Sequence, residues 1–136
     1  MKQLRILLID DDDAPRKLSR SVLMRDATTP VLLDEASSPA EAWLRVEANA
    51  PDVVVLDLGL PKTEDGMALC ALLREDARTS HALIVVVSGF DQRLVIEDAS
   101  RFGADGYLAK PLAYRFLWET IAKKLGLPTN RAALTA

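Results

Sequence analysis

The sequence is poor in the residues that disulfides, thiolate metal sites and histidine-based catalysis require. Its 136 residues include one cysteine, Cys70, and one histidine, His81. One cysteine cannot close an internal disulfide, and one histidine argues against both a Ser-His-Asp triad and a histidine-rich metal site. Cys70 has the spacing of a core residue on a predicted helix, which indicates a buried, inert thiol.

Positive charge and long apolar runs are also scarce. The chain has 17 Lys and Arg against 20 Asp and Glu, for a net charge of −3, and it contains no tract of basic residues. A nucleic-acid-binding surface needs clustered positive charge, so none is expected. The apolar run Leu4–Ile9 is too short for a signal peptide, and no run approaches the ~20 residues that a membrane helix needs. We therefore expect a cytoplasmic domain that contacts neither membrane nor nucleic acid.

Short apolar runs rich in Val, Ile and Leu alternate with segments of helical spacing. The five apolar runs are Ile6–Ile9, Val31–Leu33, Val53–Leu56, Leu83–Val87 and Tyr107–Ala109. They lack polar alternation, which is typical of strands buried on both faces of a parallel sheet. Helices are predicted at Ala14–Arg25, from the capping box Ser38–Glu41 to about Asn49, and at Gly66–Glu75, Gln92–Phe102 and Leu112–Leu125, with Gly103 and Gly126 as C-caps.

This alternation predicts a single domain of the doubly wound α/β class. We expect a flavodoxin-like, five-stranded parallel sheet of order 2-1-3-4-5 with five helices packed on its faces. Residues 1–126 would form the domain, and residues 127–136 would form a C-terminal tail or the start of a linker.

Polar residues follow the predicted strands at the point where each one ends. Strand one is followed by Asp10 and Asp11 in a run of four aspartates, strand three by Asp57, strand four by Ser88 and strand five by Lys110. In open sheets of this order, ligands bind outside the carboxyl ends of the strands, at the gap between strands one and three. We therefore expect the aspartates to gather at one edge, flanked by the serine and the lysine.

Three carboxylates in one place repel each other, and a divalent cation would relieve the repulsion. Oxygen ligands favour Mg²⁺, whereas zinc would call for cysteine or histidine. A cation, an ammonium and a hydroxyl that face carboxylates suit a phosphoryl group, and a carboxylate can accept that group as an acyl phosphate. Each feature alone has an ordinary structural interpretation, such as a solvated acidic loop. It is the joint pattern on four strand ends that argues for a site.

The chain resembles the receiver domain of bacterial response regulators over about residues 4–125. The segments that carry the resemblance are Ile6–Asp12, Pro51–Pro61, Asp65-Gly66, Val85–Gly89 and Gly103–Pro111. Each segment is a weak signal alone, but all five occur in order and at the family's spacing.

The resemblance implies that Asp57 is the phosphoacceptor. Asp11, Asp57 and the backbone carbonyl of Gly59 would bind Mg²⁺, and Asp10 would hold a metal-bound water. Ser88 and Lys110 would bind the phosphoryl group. Tyr107 would change rotamer as Ser88 moves, which would alter the surface formed by helix four, strand five and helix five. The implied partners are a histidine kinase or histidine phosphotransfer protein and a downstream protein.

Three departures from the family pattern concern the rim of the site. Three residues, Lys62–Glu64, separate Pro61 from the Asp-Gly pair, where the family usually has two. Gly59 and Phe90, each two residues beyond a site residue, offer no polar side chain to hold a hydrolytic water. Because these two positions lack such a group, we expect the phosphorylated domain to lose its phosphoryl group slowly.

The last predicted helix carries more apolar residues than one buried stripe requires. We expect Phe116, Leu117 and Ile121 to belong to the buried stripe. Tyr114 and Trp118 then share a second face, which is either ordinary surface amphipathicity or a contact for a partner or a homodimer. On that assignment, alanine at both positions would leave stability nearly unchanged.

Other functions remain open from the residues. The first run of aspartates contains an Asp-x-Asp pattern, which is found in Mg²⁺-dependent phosphatases with an aspartyl nucleophile. A receiver-shaped scaffold that does not use phosphate is a second alternative. Flavin binding is disfavoured because four aspartates stand where a phosphate-binding loop would be needed. The sequence identifies neither the kinase, the target, the pathway nor the oligomeric state.

Overall fold

A computed structural model describes residues 3–58, 63–89 and 100–129 of the chain. Within these residues the elements, in chain order, are β1 (Leu4–Ile9), α1 (Asp13–Asp26), β2 (Val31–Ala36), α2 (Pro39–Ala48), β3 (Val53–Asp57), α3 (Thr63–Glu75), β4 (Leu83–Ser88), β5 (Gly106–Ala109) and α4 (Ala113–Leu125). The helix predicted at Gln92–Phe102 falls mostly outside the described residues, so α4 corresponds to the fifth predicted helix.

The five strands form one parallel sheet of order β2-β1-β3-β4-β5. This confirms the predicted fold class and strand order. The central strand β1 pairs on both sides, with Ile6 opposite Leu33 of β2 and Val53 of β3. β2 extends three residues beyond its apolar run, because Asp34, Glu35 and Ala36 continue the pairing with β1; at this edge position Asp34 and Glu35 stay half-exposed. The order places the ends of β1 and β3 side by side, which brings Asp10 and Asp57 to the same part of the sheet edge.

Two hydrophobic clusters cover the two faces of the sheet. Successive side chains of a strand point to opposite faces, so alternate residues divide between the clusters. Leu7, Ile9 and Leu56 belong to the cluster that includes buried residues of α2 and α3. Ile6 and Leu8 belong to the cluster that includes buried residues of α1 and α4. The continuous apolar runs therefore correspond to strands whose two faces are both buried.

The helix ends follow the chemistry that the sequence predicts. Ser38 accepts a hydrogen bond from the Glu41 amide at 3.1 Å, and Pro39 occupies the first helical position of α2. Gly126 ends α4 with a φ of 70°, a left-handed conformation that glycine adopts without strain. In the part of the chain that the structure describes, none of the helices combines the length and the apolar character required to cross a membrane.

The buried stripe of α4 differs from the predicted one. Its buried residues are Ala113, Leu117, Trp118, Ile121 and Ala122. Phe116 is 36% exposed, whereas Trp118 is 2% exposed and donates a hydrogen bond from Nε1 to Thr28 Oγ1 at 3.1 Å. The prediction that Trp118 lies on an exposed face is therefore wrong. The helix is rotated so that the larger indole fills the core and its N–H finds a partner on the loop after α1.

Arg74, at the end of α3, joins three segments of the chain. Its guanidinium donates to the Gly103 carbonyl at 2.7 and 3.0 Å, and to the Ser80 and Ala82 carbonyls at 2.8 and 2.9 Å. It also contacts the Asp105 carboxylate at 2.6 Å, and that carboxylate accepts from the Ile84 amide. The segments that enter β4 and β5 are thus tied to α3 by a residue that is 27% exposed.

We expect Arg74→Met to lower the free energy of unfolding by about 2–4 kcal/mol, because three carbonyls and one carboxylate lose a charged donor. Methionine keeps the aliphatic stem, so the loss would report the hydrogen bonds. Urea denaturation followed by circular dichroism measures the change. The control is Arg25→Met, since Arg25 is 65% exposed and contacts the carboxylate of Asp26. It should have a much smaller effect, because exposed ion pairs contribute little to stability. Equal effects would contradict a special role for Arg74.

Candidate functional site at the carboxyl edge of the sheet

Polar residues lie at the carboxyl ends of four strands, along one edge of the sheet. Asp10 follows β1, Asp57 ends β3, Ser88 ends β4, and Lys110 follows β5. Lys110 Nζ lies 2.5 Å from Asp57 Oδ2 and 3.8 Å from Asp10 Oδ2. The structure therefore brings together the lysine and two of the three aspartates that the sequence placed at this edge.

The remaining predicted site residues differ in their burial, and two of them lie outside the described residues. Ser88 is 1% exposed, and its carbonyl accepts a hydrogen bond from the Lys110 amide at 2.8 Å, which continues the β4–β5 pairing to the site. Asp11 is exposed in the loop after β1. Tyr107 is half-buried against the cluster on the α2 and α3 side of the sheet. Gly59 and Phe90 lie outside the described residues.

The acidic pair is electrostatically unfavourable, and the lysine offsets part of the cost. Burial raises the pKa of Asp10 from its ordinary value of 3.8 to about 6, and the nearby charge of Asp57 adds to the rise. Burial alone would lower the pKa of Lys110, but its hydrogen bond to Asp57 raises that pKa overall. The site thus holds more negative charge than one ammonium neutralises.

The loop that carries Asp10 and Asp11 is held by local hydrogen bonds. Asp10 Oδ1 accepts from the Asp12 amide at 3.0 Å, and Asp12 Oδ1 accepts from the Ala14 amide at 3.3 Å as the N-cap of α1. Arg16 Nη1 donates to the Asp10 carbonyl at 2.8 Å. Sequence reasoning missed Arg16. The available signal was a basic residue in the first turn of a helix, where acidic residues suit the dipole.

Gly66 allows α3 to pack directly beside the residue that follows Asp57. A Cβ at Gly66 would lie 2.3 Å from the Leu58 carbonyl oxygen and 2.5 Å from its Cα. These distances are shorter than any contact that a methyl group tolerates, and both atoms belong to the backbone. Only glycine at position 66 therefore allows α3 to lie this close to the end of β3.

Tyr114 also differs from its predicted setting. It is half-buried and packs against the cluster on the α1 and α4 side of the sheet. Burial raises its pKa, and the site residues act on it too: Lys110 opposes the rise, while Asp10 and Asp57 add to it. With Trp118 in the core, the expected Tyr114–Trp118 contact face does not form. Leu112 and Phe116 are the exposed apolar residues of this segment instead.

Comparison with known proteins identifies the family. The model for the response regulator receiver domain matches residues 6–122. The chain belongs to this family, and it is therefore a receiver domain of two-component signalling, a signalling domain and not a conventional enzyme.

Two curated relatives and one solved structure illustrate the similarity. The chemotaxis protein CheY1 of Helicobacter pylori is 27% identical over 124 residues, which cover 90% of this chain and 98% of that protein. The transcriptional regulatory protein KdpE of Staphylococcus aureus is 33% identical over 109 residues, or 80% of this chain and 44% of that protein. A CheY-like receiver domain protein from Methanospirillum hungatei JF-1 has a TM-score of 0.78 at 24% identity, covering 92% of this chain and 95% of that one, which shows the shared fold.

The raised pKa of Asp10 predicts a pH-dependent stability in EDTA. A carboxyl whose pKa is higher in the folded state binds its proton more tightly there, so stability is lost as pH rises from about 4 to about 6. Asp10→Asn should remove that loss and stabilise the protein by about 1–3 kcal/mol near neutral pH, as measured by urea denaturation across this range.

The control for this prediction is Asp11→Asn, which removes one charge from the same loop at an exposed position. If both variants gained equal stability at every pH, general relief of charge would explain the result and burial of Asp10 would not.

Proposed function

We propose that this domain is a switch that receives a phosphoryl group on Asp57 from a phosphohistidine. The donor would be a histidine kinase or a histidine phosphotransfer protein. The observation that carries the proposal is the contact of Lys110 with Asp57 beside buried Asp10. A carboxylate held next to a fixed ammonium, at the edge of the sheet where ligands bind, is arranged to accept an anionic group.

The donor chemistry of the site fits Mg²⁺. The aspartates offer hard oxygen ligands, and Asp10 and Asp57 place two carboxylates beside the one ammonium of Lys110. The residues that would hold the ion are Asp11, Asp57 and the Gly59 carbonyl, with Asp10 acting through a water. Among the described residues, no three His, Cys, Asp or Glu side chains are grouped to hold a metal. In this state Lys110 lies against the carboxylates, and Gly59 is outside the described residues.

The proposed reaction forms one bond and breaks one. A carboxylate oxygen of Asp57 bonds to phosphorus, the N–P bond of the phosphohistidine breaks, and the freed imidazole nitrogen takes up a proton. Bound Mg²⁺ would supply positive charge to the phosphoryl oxygens. Lys110 shifts its ammonium from the Asp57 carboxylate to a phosphoryl oxygen, and the Ser88 hydroxyl donates a hydrogen bond to another. The domain in this way assists its own phosphorylation.

The proposed output is a change of surface around β5. Ser88 and Lys110 lie at the ends of the paired strands β4 and β5, and Tyr107 lies within β5. A new bond from Ser88 to a phosphoryl oxygen would draw this end of β4 toward Asp57 and change the packing of Tyr107. The surface formed by β5 and α4 would then favour a different partner, either a downstream protein or a second copy.

The decisive experiment is intact-protein mass spectrometry after incubation with acetyl phosphate, in Mg²⁺ and in EDTA. We expect one phosphoryl adduct on the wild type that requires Mg²⁺ and is absent from Asp57→Asn. Asp52→Asn is the matched control, because Asp52 lies just before the same strand at the opposite edge and accepts from the Arg5 amide. It should be phosphorylated normally.

Each other outcome has a definite meaning. No adduct on folded wild type would favour a scaffold that does not use phosphate. An adduct that survives in Asp57→Asn would identify another carboxylate as the acceptor. Turnover of a generic phosphate ester would favour the phosphatase alternative.

We further expect slow self-dephosphorylation, because the side chains of Gly59 and Phe90 offer no polar group to hold a hydrolytic water. Phe90→Glu should shorten the lifetime of the acyl phosphate by about tenfold, and Phe90→Leu should leave it nearly unchanged. The lifetime is measured by mass spectrometry after removal of acetyl phosphate. Loss of the adduct from wild type within seconds would contradict this expectation.

A further inference from the structure

Arg16 contacts three residues near the acidic loop: Asp10, Asp13 and Glu35. From the first turn of α1, its Nη1 donates to the Asp10 carbonyl at 2.8 Å and its Nε donates to Glu35 Oε1 at 3.0 Å. Its Nη2 is paired with the carboxylate of Asp13. The side chain is 12% exposed, so these bonds form largely away from water. One side chain thereby links β2, α1 and the loop that carries Asp10 and Asp11.

Arg16 contacts the backbone of the acidic loop at the peptide that joins Asp10 to Asp11, because the Asp10 carbonyl belongs to that peptide. In the same loop the Asp10 side chain accepts from the Asp12 amide, and Asp11 is exposed. Glu35 holds the guanidinium from the end of β2, where its own strand is paired to β1.

An ordinary surface ion pair between Arg16 and Glu35 would not include a hydrogen bond to the backbone of the acidic loop. Arg20, one turn further along α1, provides the comparison within the same molecule. It contacts the same Glu35 at 3.4 Å and is 45% exposed. Arg16 differs from it by reaching the backbone of the site. Arg16 therefore contacts both Glu35 and the acidic loop, whereas Arg20 contacts Glu35.

We propose that Arg16, held by Glu35, is a positioning residue that presents Asp10 and Asp11 to the divalent cation. The inference rests on the proposed function. Residues that orient metal ligands through hydrogen bonds commonly change metal affinity by about tenfold or more when they are removed. Arg16 would act on Mg²⁺ affinity without touching the ion or the phosphoryl group.

The test compares Arg16→Ala with the matched control Arg20→Ala in the full chain. Mg²⁺ dissociation constants are measured by isothermal titration calorimetry, and initial rates of phosphorylation by acetyl phosphate are measured against Mg²⁺ concentration. We expect Arg16→Ala to weaken Mg²⁺ binding by about tenfold and to recover a near-normal rate at saturating Mg²⁺. Arg20→Ala should match wild type. A purely structural role would lower the melting temperature and leave the dissociation constant unchanged.

A second measurement needs no metal. NMR order parameters of the Asp11 to Asp13 amides in EDTA should fall in Arg16→Ala and not in Arg20→Ala, because the peptide after Asp10 is no longer fixed. Arg16→Lys keeps the charge but loses the planar fork, so it should lie between Arg16→Ala and wild type.

The outcomes separate this inference from the proposed function. If wild type and Arg16→Ala bind Mg²⁺ equally well, the inference is overturned and the proposed function stands. If wild type binds no Mg²⁺ and accepts no phosphoryl group, the proposed function fails and takes the inference with it.

Discussion

The site depends on one contact, the ion pair of Lys110 with Asp57 at 2.5 Å. Asp57 ends β3 and Lys110 follows β5, and β4 lies between these two strands in the sheet. The two side chains therefore meet across the end of β4. Lys110 places its ammonium beside two carboxylates, Asp57 and the buried Asp10, whose mutual repulsion is costly in a partly desolvated place. The ammonium therefore offsets part of the repulsion between the two carboxylates in the folded chain.

The rest of the fold keeps the partners of this contact in register. β1, β3 and β4 are almost completely buried, so their ends cannot shift without disturbing both hydrophobic clusters. At the opposite edge of the sheet, Arg74 ties the starts of β4 and β5 to α3. Gly66 lets the same helix approach the backbone immediately after Asp57. The strands that carry the site are thus held by the apolar interior along their length, by Arg74 where β4 and β5 begin and by the close approach of α3 where β3 ends.

Membership of the receiver family gives this arrangement its biological context, because receivers of this kind interact with histidine kinases and with downstream effectors. The distinctive features of this chain lie around the site and not at its centre. An additional residue follows Pro61, and Gly59 and Phe90 are apolar where water would be held. Arg16 supports the acidic loop from behind. On the proposed function, differences of this kind would change the lifetime of the acyl phosphate and the affinity for Mg²⁺ while the phosphoacceptor stays the same.

The sequence by itself determined the order of elements and the class of sheet, because doubly buried strands leave continuous apolar runs and here these runs alternate with segments of helical spacing. It also determined which residue types stand at each strand end. Only the tertiary structure decided how α4 is rotated, because Phe116 and Trp118 are both apolar and periodicity cannot rank them. It alone revealed Arg16 and Arg74, whose partners lie up to 31 positions away in the chain. A hydrogen bond between distant segments exists only after the sheet has brought them together.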